Sequence, residues 1–320
     1  MRFPGRIGIW FLCVTLTYGV GTSPAAEESR GQLQRMKYRH PGLIDDLAVG
    51  LWSWPVPIDA DGDGDTDMII SCEDTPYNGT YLFTNPAKEN GESDTEMAIP
   101  FRAARRLSQG VINVQLSWVN GTPRILTPAK EYPDFVNSGV SEPVDLGVPA
   151  NVHRNNVRGN MWKYVDYEDD GLVDLIVGSD DWTDYGWDDA WTTNGVWKNG
   201  PLRGNIYVLR NQGTNESPKY ADAVLLKLVN GNPIETFGWP SPEFRDWDDD
   251  GDLDLLCGDF RDRFSYFENV GSRTDPRYVG PYPVGCEGNI PAVIDLAMAT
   301  PVAFDLDRDG RVDLLCGDED

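Results

Sequence analysis

The chain has 320 residues, of which 40% are apolar and 25% are charged, and it contains 33 glycines and 23 prolines. This composition is rich in turn-forming residues but too apolar for a disordered or collagen-like chain. The formal charge of −25 at pH 7 argues against a nucleic-acid partner, because a polyanion would be repelled.

Residues 1–26 have the pattern of a secretory signal peptide. Two arginines precede an apolar stretch over 7–20, and small residues at 23–26 offer a cleavage site. No later apolar run approaches the roughly 18 residues needed to cross a bilayer. We therefore expect a mature chain that begins near Glu27, is secreted, periplasmic or on the cell surface, and does not span a membrane.

The segment 27–54 contains a candidate closing strand at 47–51, and the remainder, 55–320, is built from an internal repeat. Its signature is an acidic loop of nine residues with a carboxylate at positions 1, 3, 5 and 9 and glycine at position 6. The loop occurs four times, and we number the copies one to four: 59–67, 166–174, 246–254 and 305–313.

This spacing suits a hard cation such as Ca²⁺, which takes six to eight oxygen ligands at roughly 2.3–2.6 Å. Alternate carboxylates converge, the glycine permits a sharp turn, and the carbonyl at position 7 supplies a further oxygen. Any single copy could be a solvated acidic loop, but four copies in register favour metal binding. An EF-hand is excluded because position 12, which must be glutamate there, is apolar in every copy.

We predict up to four structural calcium ions. The predicted ligands, with position 7 contributing its carbonyl, are Asp59, Asp61, Asp63, Asp65, Asp67, Asp166, Glu168, Asp170, Leu172, Asp174, Asp246, Asp248, Asp250, Asp252, Asp254, Asp305, Asp307, Asp309, Arg311 and Asp313.

A short apolar strand is predicted after each loop, and a second strand follows it in three copies. Cys257 and Cys316 occupy equivalent positions in the first of these strands, so we expect small buried side chains there. The disulfide state of Cys72 and Cys286 stays open. Residues 114–126 form a further unit, two strands joined by an Asn-Gly turn in place of the acidic loop.

Five such units, spaced about 60 residues apart, predict an all-β fold, a β-propeller of four-stranded blades. The sequence ends two strands short of a complete fifth blade. We therefore expect a fragment, or a ring that the strand at 47–51 completes, and we favour the fragment.

An insertion at 180–202 separates two strands of the third unit and is rich in aromatic residues. Long loops with their own composition are often functional. The candidate ligand-binding residues are Trp182, Tyr185, Trp187, Trp191 and Trp197.

The four acidic loops, with the apolar-glycine strands that follow three of them, resemble the FG-GAP and VCBS repeat families, calcium-loop propellers also seen in the head of integrin α-subunits. The resemblance covers roughly 55–320 and implies a secreted or surface propeller with structural calcium. The metal-free second unit and the aromatic insertion depart from that pattern. Such propellers serve in adhesion and carbohydrate binding and occasionally as enzymes, so the resemblance informs fold better than function.

Three functions follow as hypotheses. The first is an extracellular module that binds polysaccharide or a cell-surface partner through the aromatic insertion, unless these rings instead fold inward. The second, less favoured, is a polysaccharide-degrading lyase or glycosidase, whose carboxylates would come from the insertion (Asp180, Asp181, Asp184, Asp188 and Asp189), with His153 as a candidate pocket residue. The third is a purely structural part of a larger extracellular protein.

Overall fold

The computed structural model describes residues 49–86, 101–152, 157–186, 190–285, 291–294, 297–306 and 310–317, together with the backbone of 8–11. These residues form an all-β fold, as predicted. The helix among them is a single turn, α1 (Phe135–Ser138).

The strands form five sheets, which we number one to five, and four of these contain four antiparallel strands in chain order. Sheet one contains β2 (Ser53–Ile58), β3 (Asp67–Cys72), β4 (Gly79–Phe83) and β5 (Arg105–Ser108). Sheet two contains β6 (Gln115–Val119), β7 (Thr122–Thr127), β8 (Lys130–Glu131) and β9 (Val144–Asp145).

Sheet three contains β10 (Val157–Val165), β11 (Asp174–Asp181), β12 (Arg203–Leu209) and β13 (Val224–Leu225), and β14 (Glu235–Thr236) also pairs with β12. Sheet four contains β15 (Pro242–Arg245), β16 (Asp254–Gly258), β17 (Phe264–Asn269) and β18 (Tyr278–Pro283). In sheet five, β19 (Thr300–Phe304) pairs with β20 (Asp313–Gly317).

The acidic loops occupy equivalent places in four of the sheets. Each acidic loop connects the first and second strands of its sheet, and in sheet two the two strands meet at Asn120 and Gly121. Both turn residues have positive φ, 50° and 74°, as a tight hairpin turn with the twist of its strands requires. Glycine at position 6 likewise has φ between 82° and 97° in all four loops, conformations that side chains rarely adopt.

The structure of the N-terminal residues differs from what the sequence predicts. β1 (Gly8–Phe11), inside the expected signal peptide, pairs in parallel with β20. Cleavage of the signal would remove this strand, so the signal peptide stays a prediction. Val49 to Leu51, the described part of the candidate closing strand, form no strand.

The first strands of the five sheets contact one another in a regular order. β2 contacts β6, β6 contacts β10, β10 contacts β15, β15 contacts β19, and β19 contacts β2. The buried apolar side chains form three clusters, and the largest contains residues from all five sheets.

Aromatic, polar and charged side chains lie between these first strands. Trp54 packs against Trp239, with ring centroids 5.6 Å apart. A buried salt bridge joins Lys163 on β10 to Glu243 on β15. Cys72, Cys257 and Cys316 are buried free thiols, which agrees with the expectation for the last two, and Cys286 lies outside the described residues.

Candidate functional site

The acidic loops share one hydrogen-bond pattern that the sequence spacing predicts only in outline. In every copy the carboxylate at position 1 accepts a hydrogen bond from the amide of the glycine at position 6, at 2.9–3.1 Å. The backbone therefore curls around the first carboxylate. In loop three, this curl places the carboxylates at positions 1, 3 and 5 on the same side of the turn.

The carboxylate at position 9 fixes each loop to its sheet. In loop three, Asp254 accepts from the amide of Trp247 at 3.2 Å and from the amide of Asn269, at the end of β17, at 2.7 Å. Asp67 and Asp174 make the same two contacts in loops one and two. These carboxyl groups are buried, and desolvation raises the pKa of Asp174 to about 6 and that of Asp254 to about 7.

Two loops bring three carboxylates within 4.8 Å of one another, as a metal site requires. They are Asp59, Asp61 and Asp67 in loop one, and Asp246, Asp248 and Asp250 in loop three. Both groups could hold a metal ion, and these are the two loops that also carry aspartate at position 7. The sequence spacing predicts only a carbonyl ligand from position 7, whereas the Asp65 and Asp252 side chains are buried in the loops.

A second observation, besides the clustering of carboxylates, indicates that loop three could hold a cation. Oδ1 of Asp248 and Oδ1 of Asp252 are buried and have no hydrogen-bond partner among the described residues. Desolvation, followed by repulsion from neighbouring aspartates, raises the pKa of Asp252 to about 6 and also raises that of Asp248. Buried carboxylate oxygens without donors are costly, and a hard cation such as Ca²⁺ would satisfy them.

Loop two is arranged differently. Glu168, at position 3, is held by both arms of the Arg210 guanidinium, at 2.8 and 2.5 Å, which lowers the pKa of Glu168. Arg273 donates to the carbonyls of Asp166 and Tyr167 at the start of the same loop. Two arginines thus supply positive charge to this loop, so its predicted calcium ion stays a prediction.

Loop four is described only in part. Asp305 and Asp313 make the position 1 and position 9 hydrogen bonds, and Asp307 and Asp309 lie outside the described residues.

Substitution of Asp248 by Asn tests the metal site of loop three. We expect millimolar calcium to raise the free energy of unfolding of the wild type, by about 3 kcal/mol if the concentration is 100 times the dissociation constant. Asp248→Asn should lose part of this increase, because it removes a charged ligand. The measurement is urea unfolding with calcium and with EDTA.

Asp222→Asn, at an exposed aspartate outside the loops, is the matched control and should respond to calcium as the wild type does. A wild-type protein whose unfolding does not change between calcium and EDTA would contradict metal binding.

The aromatic insertion divides into a buried part and an exposed part. Trp182 is buried against Tyr185 and Phe260, with ring centroids 5.2 and 5.7 Å apart, so here the inward-folding alternative holds. Trp191, by contrast, is 58% exposed and contacts Trp197, which stacks on Tyr185 at 4.4 Å. Trp187, Asp188 and Asp189 lie outside the described residues.

The described aspartates of the insertion are engaged in structural contacts. Asp180 is fully buried and accepts the indole N–H of Trp182 at 2.7 Å, and Asp181 accepts the amide of Thr183 at 2.9 Å. Asp184 lies 3.5 Å from Arg203. Desolvation raises the pKa of Asp180 to about 6. His153, the candidate pocket residue, lies outside the described residues.

The raised pKa of Asp180 makes folding depend on pH. The folded state keeps this proton up to about pH 6, whereas the unfolded chain releases it near 3.8, so Asp180 makes the protein less stable as pH rises through this window. Asp180→Asn does not titrate and can still accept the Trp182 hydrogen bond.

We therefore expect Asp180→Asn to become more stable relative to the wild type by about 2 kcal/mol between pH 4 and pH 7. Urea unfolding at both pH values measures this difference. A difference as small as that for Asp222→Asn would contradict the prediction.

A cavity of about 230 Å³ lies between the first strands of sheets two, three, four and five. Lys163 and Glu243 line it, and both are almost completely buried. Burial lowers the pKa of Lys163 and raises that of Glu243, and their mutual hydrogen bond opposes both changes. Neither residue is among the site residues predicted from the sequence. An ionisable residue among the apolar residues of a strand is the sequence feature that could have indicated them.

Comparison of the chain with protein-family models finds no match, and comparison with curated proteins also finds none. The resemblance to the FG-GAP and VCBS repeats therefore stays a prediction. Among the described residues, no helix has the length and apolar character that crossing a membrane demands.

Proposed function

We propose that this protein is an extracellular, calcium-stabilised β-propeller that binds polysaccharide through its aromatic insertion. The observation that carries the binding role is the exposed Trp191 ring, which makes an edge contact with Trp197, and Trp197 in turn stacks on Tyr185. Flat, exposed indole rings stack on sugar rings and provide a large contact area with few rotatable bonds.

The supporting rings are held in place. Trp191 and Trp197 pair across a short β-bridge, and the amide of Thr192 donates to the carbonyl of Val196 at 2.9 Å. The Asn199 side chain donates to the carbonyl of Tyr185 at 2.7 Å. A platform fixed in this way loses little conformational freedom when a ligand binds.

Trp191→Ala tests this role. We expect the mature chain, from Glu27, to be retained on insoluble polysaccharides in millimolar calcium, and Trp191→Ala to weaken retention about tenfold, because the exposed indole surface for stacking on a sugar ring is lost. Val196→Ala is the matched control, since Val196 is 60% exposed on the same hairpin. Equal retention of the wild type and Trp191→Ala, or no retention of the folded wild type, would contradict the proposal.

The second hypothesis, an enzyme, requires a pair of free carboxylates. The described residues of the insertion do not supply such a pair, because Asp180, Asp181 and Asp184 each have a partner. Release of soluble sugar ends in the same retention assay would revive it.

The proposed propeller is supported by repeated contacts between neighbouring sheets. A Cβ atom added to Gly178, within the second strand of sheet three, would overlap the Pro240 carbonyl before sheet four. Gly258 of sheet four has the same relation to Ala299 before sheet five, and Gly317 of sheet five has it to Ser53 of sheet one. The last sheet thus approaches the first as consecutive sheets approach each other, which favours a closed ring of five.

Alanine at Gly317 tests the closure. In a closed ring, Gly317→Ala should lower the free energy of unfolding as Gly258→Ala does, by about 1–3 kcal/mol, because each added methyl group overlaps backbone of the next sheet. Urea unfolding in calcium measures both. If Gly258→Ala destabilises and Gly317→Ala does not, the ring is open between sheets five and one.

A further inference from the structure

We propose that the cavity between the first strands is a binding site for a small organic monocarboxylate. It takes its walls from four different sheets and contains the buried Lys163–Glu243 pair. A concave site with converging polar groups and buried ionisable residues is the usual form of a small-molecule site. The proposal is independent of the polysaccharide platform.

The charges in the cavity leave an excess of one positive charge. The charges of Lys163 and Glu243 sum to zero whether the proton they share is on the amine or on the carboxylate. Arg245 adds one positive charge beside them. Of the other charged groups that line the cavity, the Asp166 carboxylate is turned into loop two, where it accepts the amides of Asp170 and Gly171.

Arg273, the remaining cation of the wall, has its own partners. It donates to the carbonyls of Asp166 and Tyr167 and lies 3.8 Å from Asp169. A single negative charge would therefore balance the cavity.

The hydrogen-bonding groups of the cavity point to the same ligand chemistry. Lys163 donates to the Leu116 carbonyl and to Glu243, which uses two of its three N–H donors. Arg245 donates once, to the Ala303 carbonyl at 3.1 Å, and the buried indole N–H of Trp118 has no partner among the described residues. The walls thus offer spare donors, and a carboxylate, which only accepts, complements them.

The size of the cavity limits the ligand. About 230 Å³ is below the roughly 300–1,000 Å³ of sites for drug-sized ligands, so it suits a molecule no larger than one sugar acid. Trp118, stacked on Phe304 at 6.0 Å, supplies an apolar wall for the carbon skeleton.

Calorimetric titration with sodium D-glucuronate tests the site, with D-glucose as the neutral ligand of the same shape. In saturating calcium, the wild type should bind glucuronate at least tenfold more tightly than glucose. Arg245→Met, which removes the guanidinium and keeps an apolar stem, should weaken glucuronate binding at least tenfold. Arg277→Met removes the same charge from an exposed position outside the cavity and should bind as the wild type does.

Arg245 adjoins loop three, so the calcium response of Arg245→Met is measured as well and should be unchanged. If that variant does not fold, Trp118→Phe, which removes one donor and keeps a ring, should weaken binding several-fold. Absence of glucuronate binding by the folded wild type, equal binding of glucose, or wild-type affinity in the folded variants would overturn the proposal. Retention on polysaccharide, which depends on Trp191, distinguishes this failure from failure of the platform.

Discussion

The position 9 carboxylate is the contact on which each acidic-loop unit depends. It is buried at the start of the second strand, where an ionised group is stable only if donors surround it. One donor is the amide at position 2 of its own loop, and in three sheets another is the amide of an asparagine at the end of the third strand or two residues beyond it. A single side chain therefore joins the loop, the second strand and the third strand.

The same asparagine continues the pattern into the fourth strand. The Asn211 side-chain oxygen accepts the amides of Gly213 and Lys219, and that of Asn269 accepts the amides of Gly271 and Arg277. Hydrogen bonds thus run from the acidic loop to the turn before the last strand. In loop three the carboxylates at positions 1, 3 and 5 are crowded together, and in loop one those at positions 1 and 3 lie close to that at position 9. Mutual repulsion favours a cation in both loops.

The acidic loop and the aromatic insertion of sheet three lie apart in the structure. In sheet three, the acidic loop precedes β11 and the aromatic insertion follows it, so the two lie at opposite ends of one strand. Calcium would stabilise the sheets without contacting a ligand of the insertion. In loop two, Arg210 and Arg273 supply positive charge, and the calcium ion predicted for this copy stays a prediction.

Much of the fold could be predicted from the sequence, because the repeat carries its own local rules. Positive φ at Gly251 and at the Asn120–Gly121 turn follows from residue type alone. The sequence could not predict that Glu168 would turn to Arg210, 42 residues away, or that Lys163 would meet Glu243, 80 residues away. Both contacts depend on how strands pack, and no spacing within one repeat encodes them.

The same limit applies to the insertion. Its composition indicated an aromatic surface, but only packing decides that Trp182 is buried and Trp191 is exposed. Two aromatic residues in similar local sequence contexts therefore received the same prediction and have different surroundings.

The most direct test of calcium binding is the calcium content of the folded, extensively dialysed protein, because the crowded carboxylates of the acidic loops need a cation. Elemental analysis of the mature chain should find about two calcium ions per chain, one for each converged loop. Paired substitution of Asp61 and Asp248 by Asn should abolish both. A folded protein that retains no calcium, or a doubly substituted protein that retains as much as the wild type, would contradict the account.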